Sequence, residues 1–197
     1  MNGYTHMSKF NLAVIVGSLR KDSMNLKLGK ALAKQGRDAF NATFLNIGDL
    51  PLYNQDLEAN FPDVVTRFKN DIAKADAVLF VTPEYNRGVP GPLKNAIDWA
   101  SRPSGKNSFA GKPAALCGAT PGAIGTACAQ SSLRHTLVIL DMALMGQPEL
   151  YLQFSEGLID SEGNVSNERT QQFLQKFVDR FIAWVGRHAG DGATKAA

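Results

Sequence analysis

At 197 residues, with 44% hydrophobic and 20% charged side chains, the chain has the make-up of one ordinary globular domain that can bury a sizeable core. A formal charge of +3, spread along the chain rather than gathered into a stripe, mildly favours anionic small ligands and argues against a nucleic-acid surface. No stretch approaches the roughly eighteen apolar residues of a membrane span, and the opening MNGYTHMSKF lacks the apolar core of a secretory signal, so the expected address is the cytoplasm.

Residues 1–9 read as a flexible leader, 10–189 as a single domain and 190–197 as a disordered tail. Phe10 to Val16 is the first buried strand, emptying into the loop GSLRKDSMN. A helix follows from Asn25 to Gln35, with Leu28, Ala31 and Leu32 on one face and Gly36 near its end. Ala42 to Ile47 reads as the second strand. Gly48 to Pro62 is a long loop, of a length that is usually functional or packed as a unit. Asp63 to Lys74 repeats Val64, Phe68 and Ile72 at helical spacing. Ala77 to Val81 is a third strand, rich in Val and stopped at Pro83. After the polar turn Pro83–Gly88, Pro92 suits the first turn of a helix carrying Leu93, Ile97 and Ala100. Pro113 to Ala119 is the fourth strand, followed by the Gly-rich turn Gly118–Gly125 and a helix from Thr126 to about Asp141. Glu149 to Phe154 makes the fifth strand, SEGNV a turn, and Asn167 to Arg187 the last helix, with Ser166 as its cap.

Strands alternating with helices give a doubly wound α/β sheet. In the strand order 2-1-3-4-5 the ends of strands one, three and four lie side by side at the switch point where ligands bind. The three loops there form one crevice. The first offers the hydroxyls of Ser18 and Ser23, the amide of Asn25, the Arg20 guanidinium and a helix start, which together can grip a phosphate. Ser23 also reads as a plain N-cap, and Asp22 must point away from any phosphate. The loop is neither GxGxxG nor GxxxxGK[ST], which disfavours a Rossmann dinucleotide grip or a P-loop. In the second loop Tyr85 offers a flat face, Asn86 a donor and an acceptor, and the amides of Glu84 to Asn86 can meet the polar edge of a planar ring. The Glu84 carboxylate reads as structural before it reads as a base, and Arg87 as a surface charge. In the third loop, glycines and Thr120 let backbone approach a ring closely. Cys117 and Cys128 form no CxxC pair. Cys117, in an apolar run, reads as a small core residue rather than a redox group.

GSLRKDSMN followed by LFVTPEYNRGVPGPLKNAIDW resembles the NADPH-dependent FMN reductase family of flavodoxin-like proteins, in particular the bacterial chromate and quinone reductases. LPLYNQDLE in the long loop and FAGKPAAL before the fourth strand add to the likeness, which runs from about residue 10 to the last helix. The resemblance implies a flavodoxin-like five-stranded parallel sheet of order 2-1-3-4-5 and tightly bound FMN. Ser18, Arg20, Ser23, Met24 and Asn25 would hold the phosphate, Pro83, Glu84, Tyr85 and Asn86 the ring, and Thr120 would be a third contact. It also implies a homodimer or homotetramer. The chain departs from the family pattern at Gly88, where a serine is usual, at Thr126, which replaces a glycine, and at Ser131, where an aromatic often lies.

Such a protein passes hydrides from NADH or NADPH through FMN to quinones, chromate or similar small acceptors in ping-pong fashion. The flavin does the chemistry, so no catalytic side chain and no metal is assigned. Arg102, at the end of the central helix, is the candidate for meeting an anionic substrate; a plain cation at a helix C-terminus is the alternative. A flavodoxin-like electron carrier without NAD(P)H oxidation is the competing reading, though such carriers are usually strongly acidic. A hydrolase is the weaker rival. Gly118–Gly122 mimics a nucleophile elbow, but Thr120 sits in its centre and Pro121 removes an oxyanion-hole N–H. His6, His135 and His188 do not read as triad bases.

Overall fold

The computed structural model describes residues 9–192. Its sheet is built from β1 (Phe10–Val16), β2 (Phe40–Phe44), β3 (Ala77–Val81), β4 (Pro113–Thr120), β5 (Ala143–Leu144) and β6 (Leu150–Gln153). The helices are α1 (Met24–Gln35), α2 (Asp63–Lys74), α3 (Gly91–Ala100), α4 (Ala127–Ile139) and α5 (Glu168–Gly192). All pairings are parallel, in the order β2-β1-β3-β4-β5, with β6 also on β4. This is the flavodoxin-like doubly wound arrangement.

The apolar runs of the inner strands follow from burial on both faces. Along β1, Leu12 and Val14 join a core with Leu28, Leu32, Phe177 and Phe181 from α1 and α5. Ala13 and Ile15 face the opposite core, with Phe68, Ile72, Leu93, Trp99 and Leu133 from α2, α3 and α4. Cys117 is buried, its Sγ 3.7 Å from the Phe80 carbonyl oxygen, and burial pushes its thiol far above the usual range. That is a core residue.

Four details differ from the sequence reading. First, β2 begins at Phe40, paired with Phe10, and ends at Phe44. Leu45 keeps one bond to Val14, then Asn46 Oδ1 accepts from Gly48 N in a turn. Leu45, Ile47 and Leu50 are apolar because they pack under the loop, not because they extend the strand. Second, the fifth position in the sheet holds two segments: β5 pairs with Pro113–Ala114 and β6 with Cys117–Thr120. The stretch between them contains Pro148, which has no N–H to give a ladder. Third, Asn167, not Ser166, caps α5, its Oδ1 accepting from Thr170 N at 2.8 Å. Fourth, α5 continues to Gly192, into the start of the expected tail. Residues 1–8 and 193–197, where most of the leader and tail fall, lie outside the described residues.

The long loop is packed as a unit against α3. Pro51 O accepts from Asn95 Nδ2 at 2.9 Å and from Trp99 Nε1 at 2.7 Å, and Asn95 Oδ1 accepts from Tyr53 N at 2.8 Å. The Tyr53 and Phe61 rings meet Trp99 edge-on, at 5.0 and 5.7 Å. A 3₁₀ turn, Gln55–Ala59, closes the loop's outer half.

Two lysines satisfy backbone carbonyls at, or just beyond, helix C-termini. Lys112 Nζ donates to Ala73 and Ala75, and Lys69 Nζ donates to Ala100 at 2.9 Å and Lys106 at 3.0 Å. Burial pulls the Lys69 pKa down to about 8 from 10.5. Between those values the unfolded chain binds more protons than the folded one, so this lysine makes stability rise with pH across that window. Lys69→Met should therefore show its unfolding midpoint falling progressively behind the wild type between about pH 8 and about pH 10. A gap between the two midpoints that stays constant with pH would show that Lys69 titrates normally.

Candidate functional site

The C-terminal ends of β1, β3 and β4 meet at a cleft of about 150 Å³ lined by Ser18, Arg20, Ser23, Met24, Asn25, Pro83, Glu84, Tyr85, Ala119, Thr120 and Pro121. A larger polar groove of about 480 Å³ runs between the C-terminal half of α1 and α5. It lies away from the strand ends and gathers none of the candidate residues.

In the first loop, Ser23 Oγ accepts from Leu26 N at 3.1 Å and caps α1. This leaves its hydroxyl hydrogen to donate. Ser18 Oγ accepts from Arg20 N at 3.4 Å, and Arg20 is exposed. The N–H groups of the first α1 turn point out of the helix, as at any helix start. Asp22 pairs with Lys27 at 2.5 Å, and that hydrogen bond and charge hold its carboxyl below the usual range. It does not line the cleft. The expected obstacle to an anion is thus turned aside.

Asn25 does something the sequence did not announce. Its Nδ2 donates to Ala119 O at 3.0 Å and its Oδ1 accepts from Ala119 N at 2.9 Å, in a residue only 3% exposed. This two-way bond stitches the start of α1 to β4. What Asn25 can offer an anion is chiefly its backbone N–H.

The second loop turns back on itself at Asn86 and Arg87. Their φ values of 51° and 63° define a tight turn closed by Tyr85 N to Gly88 O at 3.3 Å and Gly88 N to Tyr85 O at 2.9 Å. Both central positions need left-handed backbone, where Asn is at home and Arg is not. Gly88 is not demanded by the fold: a Cβ there would lie 3.6 Å from Tyr85 O, an ordinary contact. Tyr85 is half exposed, and Asn86 lies outside the cleft's lining.

The third loop meets the second where Gly118 passes Thr82 and Thr126. A Cβ on Gly118 would stand 2.2 Å from both Thr82 O and Thr126 Oγ1, so only glycine fits. Thr126 has φ 73° and ψ 21°, the left-handed region that favours glycine, the residue the family resemblance leads one to expect there. Arg102 is not part of the cleft. Its guanidinium lies over the Tyr53 ring, 5.8 Å from the centroid.

The donor set fits FMN: a guanidinium, two hydroxyls and a helix start with no unpaired carboxylate, beside an apolar wall of Pro83, Tyr85, Ala119 and Pro121. The family model described as NADPH-dependent FMN reductase matches residues 10–157. The chain belongs to that family. It is 53% identical over 174 residues to a 2-hydroxy-1,4-benzoquinone reductase of a Burkholderia species, covering 88% of this chain and 95% of the relative. It is 50% identical over 177 residues to a quinone reductase of Pseudomonas putida, covering 89% and 95%. Among solved structures, the flavoenzyme NAD(P)H:(acceptor) oxidoreductase FerB of Paracoccus denitrificans superposes with a TM-score of 0.88 at 50% identity, over 91% of this chain and 98% of that one. The protein is an FMN-dependent oxidoreductase that draws on NAD(P)H.

The two bonds between Asn25 and Ala119 can be tested by substitution. Replacing Asn25 with leucine deletes two buried hydrogen bonds worth about 1 kcal/mol each and strands Ala119 N–H and C=O at about 1–3 kcal/mol. Urea unfolding of apo Asn25→Leu should show a loss of about 2–4 kcal/mol, and Asn25→Asp, which keeps the acceptor but turns a buried carboxylate oxygen onto the Ala119 carbonyl, at least as large a one. Equal stability of all three proteins would mean the stitch carries no weight.

Proposed function

We propose that the enzyme reduces quinones, and chromate or similar small acceptors, at the open face of an FMN held at the three strand ends, with NADH or NADPH as reductant. The single observation that carries this is the convergence of Ser18, Arg20, Ser23, Tyr85 and Thr120 on one cleft, joined to the quinone reductases the chain is similar to. The alternative, a carrier that oxidises no NAD(P)H, has nothing comparable behind it.

Bound FMN supplies hydride acceptance and delivery. The protein's part is grip and access. Arg20, the Ser18 and Ser23 hydroxyls and the Met24 and Asn25 backbone N–H groups would take the phosphate. Amides of Glu84 to Asn86 and the Thr120 region would meet the ring. The cleft's 150 Å³ is small against the roughly 300–1,000 Å³ of pockets that engulf a ligand. It would enclose one end of FMN and leave the ring across the rim, where Tyr85 is exposed. A nicotinamide and an acceptor would then use that single face in turn, which is the condition for ping-pong kinetics. No cluster of three or more His, Cys, Asp or Glu suited to a metal occurs among the described residues, and none of those helices is long and apolar enough to cross a membrane. The proposed setting is the cytoplasm.

The protein as purified should be yellow, bleach on addition of NADPH without oxygen, and recover its colour with 1,4-benzoquinone. Initial rates at several quinone concentrations should give parallel double-reciprocal lines. Colour that NADPH leaves unchanged would favour the carrier. Arg102 enters as a candidate for an anionic substrate. Arg102→Ala should raise the KM for chromate more than that for a neutral quinone; equal changes would leave it the role its place over Tyr53 favours, packing the long loop.

We also propose that copies of the chain associate, as dimers or tetramers, through α4. Its outer face presents Arg134, His135, Val138 and Ile139, the last two 63% and 82% exposed, around an apolar recess of about 360 Å³. Light scattering on Ile139→Glu should show dissociation to a smaller species. An unchanged mass would place the contact elsewhere.

A further inference from the structure

We propose that Glu84 is a positioning residue: from the loop after β3 it supplies the N-terminal cap of α4, and so fixes the spacing between two walls of the FMN cleft. This rests on the FMN reading for its consequence, though the cap itself does not. Thr126 occupies the N-cap position of α4, but its backbone is left-handed and its side chain makes no capping bond. Its Oγ1 accepts instead from Gln130 Nε2 at 3.0 Å. A helix whose own cap is committed elsewhere is left with orphan N–H groups in its first turn.

Glu84 fills that need from far along the chain. Its Oε2 accepts from Ala129 N at 3.0 Å, and its Oε1 lies 3.5 Å from Arg87 Nη1. The side chain is only 7% exposed. A carboxylate at the positive end of a helix is favoured by the dipole as well as by the hydrogen bond. With both oxygens engaged, the carboxylate is a tie rather than a free base. The tie also sits where it matters. Pro83 to Tyr85 form one wall of the cleft, and Ala119 to Pro121, in the segment leading to α4, form another. Gly118 already brings these walls into contact at Thr82 O. Without the Glu84 bond the segment entering α4 would lose its hold on the second loop, and the cleft its fixed width.

FMN titration of the apoproteins tests this. Glu84→Ala should bind FMN at least about tenfold more weakly, the loss of one such interaction. Glu84→Gln, whose amide oxygen can still accept from Ala129 N, should recover most of that loss, to within about threefold of wild type. Equal loss in both variants would overturn the proposal in favour of a charge effect, and no loss in Glu84→Ala would overturn it outright. Amide exchange in the wild-type apoprotein reads the cap without any substitution: Ala129 N–H should exchange at least about tenfold more slowly than its neighbour Cys128 N–H. Equal exchange would sink the cap even if Glu84→Ala failed to fold. A wild type with a protected Ala129 and no affinity for FMN would instead sink the FMN reading and leave the cap standing.

Discussion

Everything at the strand ends depends on one buried amide being bonded on both sides. Asn25 exchanges two hydrogen bonds with the backbone of Ala119, and through them the first loop is held at a fixed place beside the third. A buried amide left half-satisfied would cost more than it gave. The geometry is therefore close to all-or-none. The Glu84 bond to Ala129 does for the second and third loops what Asn25 does for the first and third. Three segments far apart in sequence behave as one wall because polar side chains, not apolar contacts, join them at the surface end of the core.

The architecture was legible because its signals are local. The two-sided burial of β1, β3 and β4 is written as continuous apolar runs, and Ser23 announces the start of α1 by residue type alone. So the elements and the doubly wound class are legible from local pattern, while the strand order and the meeting of three loops come only with the flavodoxin-like likeness. Most of the candidate residues do line a single cleft. The block LKNAIDW proved informative for a reason its likeness to a family did not reveal. Leu93, Ala96 and Ile97 are core, while Asn95 and Trp99 staple the long loop through Pro51 and Tyr53.

What stayed hidden is information held by partners distant in the chain. Leu45 and Ile47 look like strand residues because burial under a loop selects the same side chains as burial in a sheet. A two-residue segment such as β5 is too short to carry any period. Asn25 reads as a phosphate ligand by type, and only Ala119 reveals that its amide is spoken for. Arg102 reads as a free cation until Tyr53 is found beneath it. The thiol of Cys117 and the left-handed backbone of Thr126 make the same point from opposite directions. The first shows its place through its apolar neighbours; the second shows in the sequence only as a departure, and its φ supplies the reason.

The local charges explain how a mildly basic chain makes a site suited to an anion. Two carboxylates stand near the cleft, and each is answered: Asp22 by Lys27, Glu84 by Arg87 and the positive end of α4. Arg20 has no carboxylate within ion-pair distance among the described residues. The balance at the first loop is therefore positive, reinforced by the start of α1. A phosphate anchored there gains from the field without needing a strongly basic surface. The exposed rim at Tyr85 carries no such bias, because Arg87 is turned back onto Glu84. An anchor that selects by charge and an open face that does not are the two properties needed to hold one cofactor and serve chemically different partners.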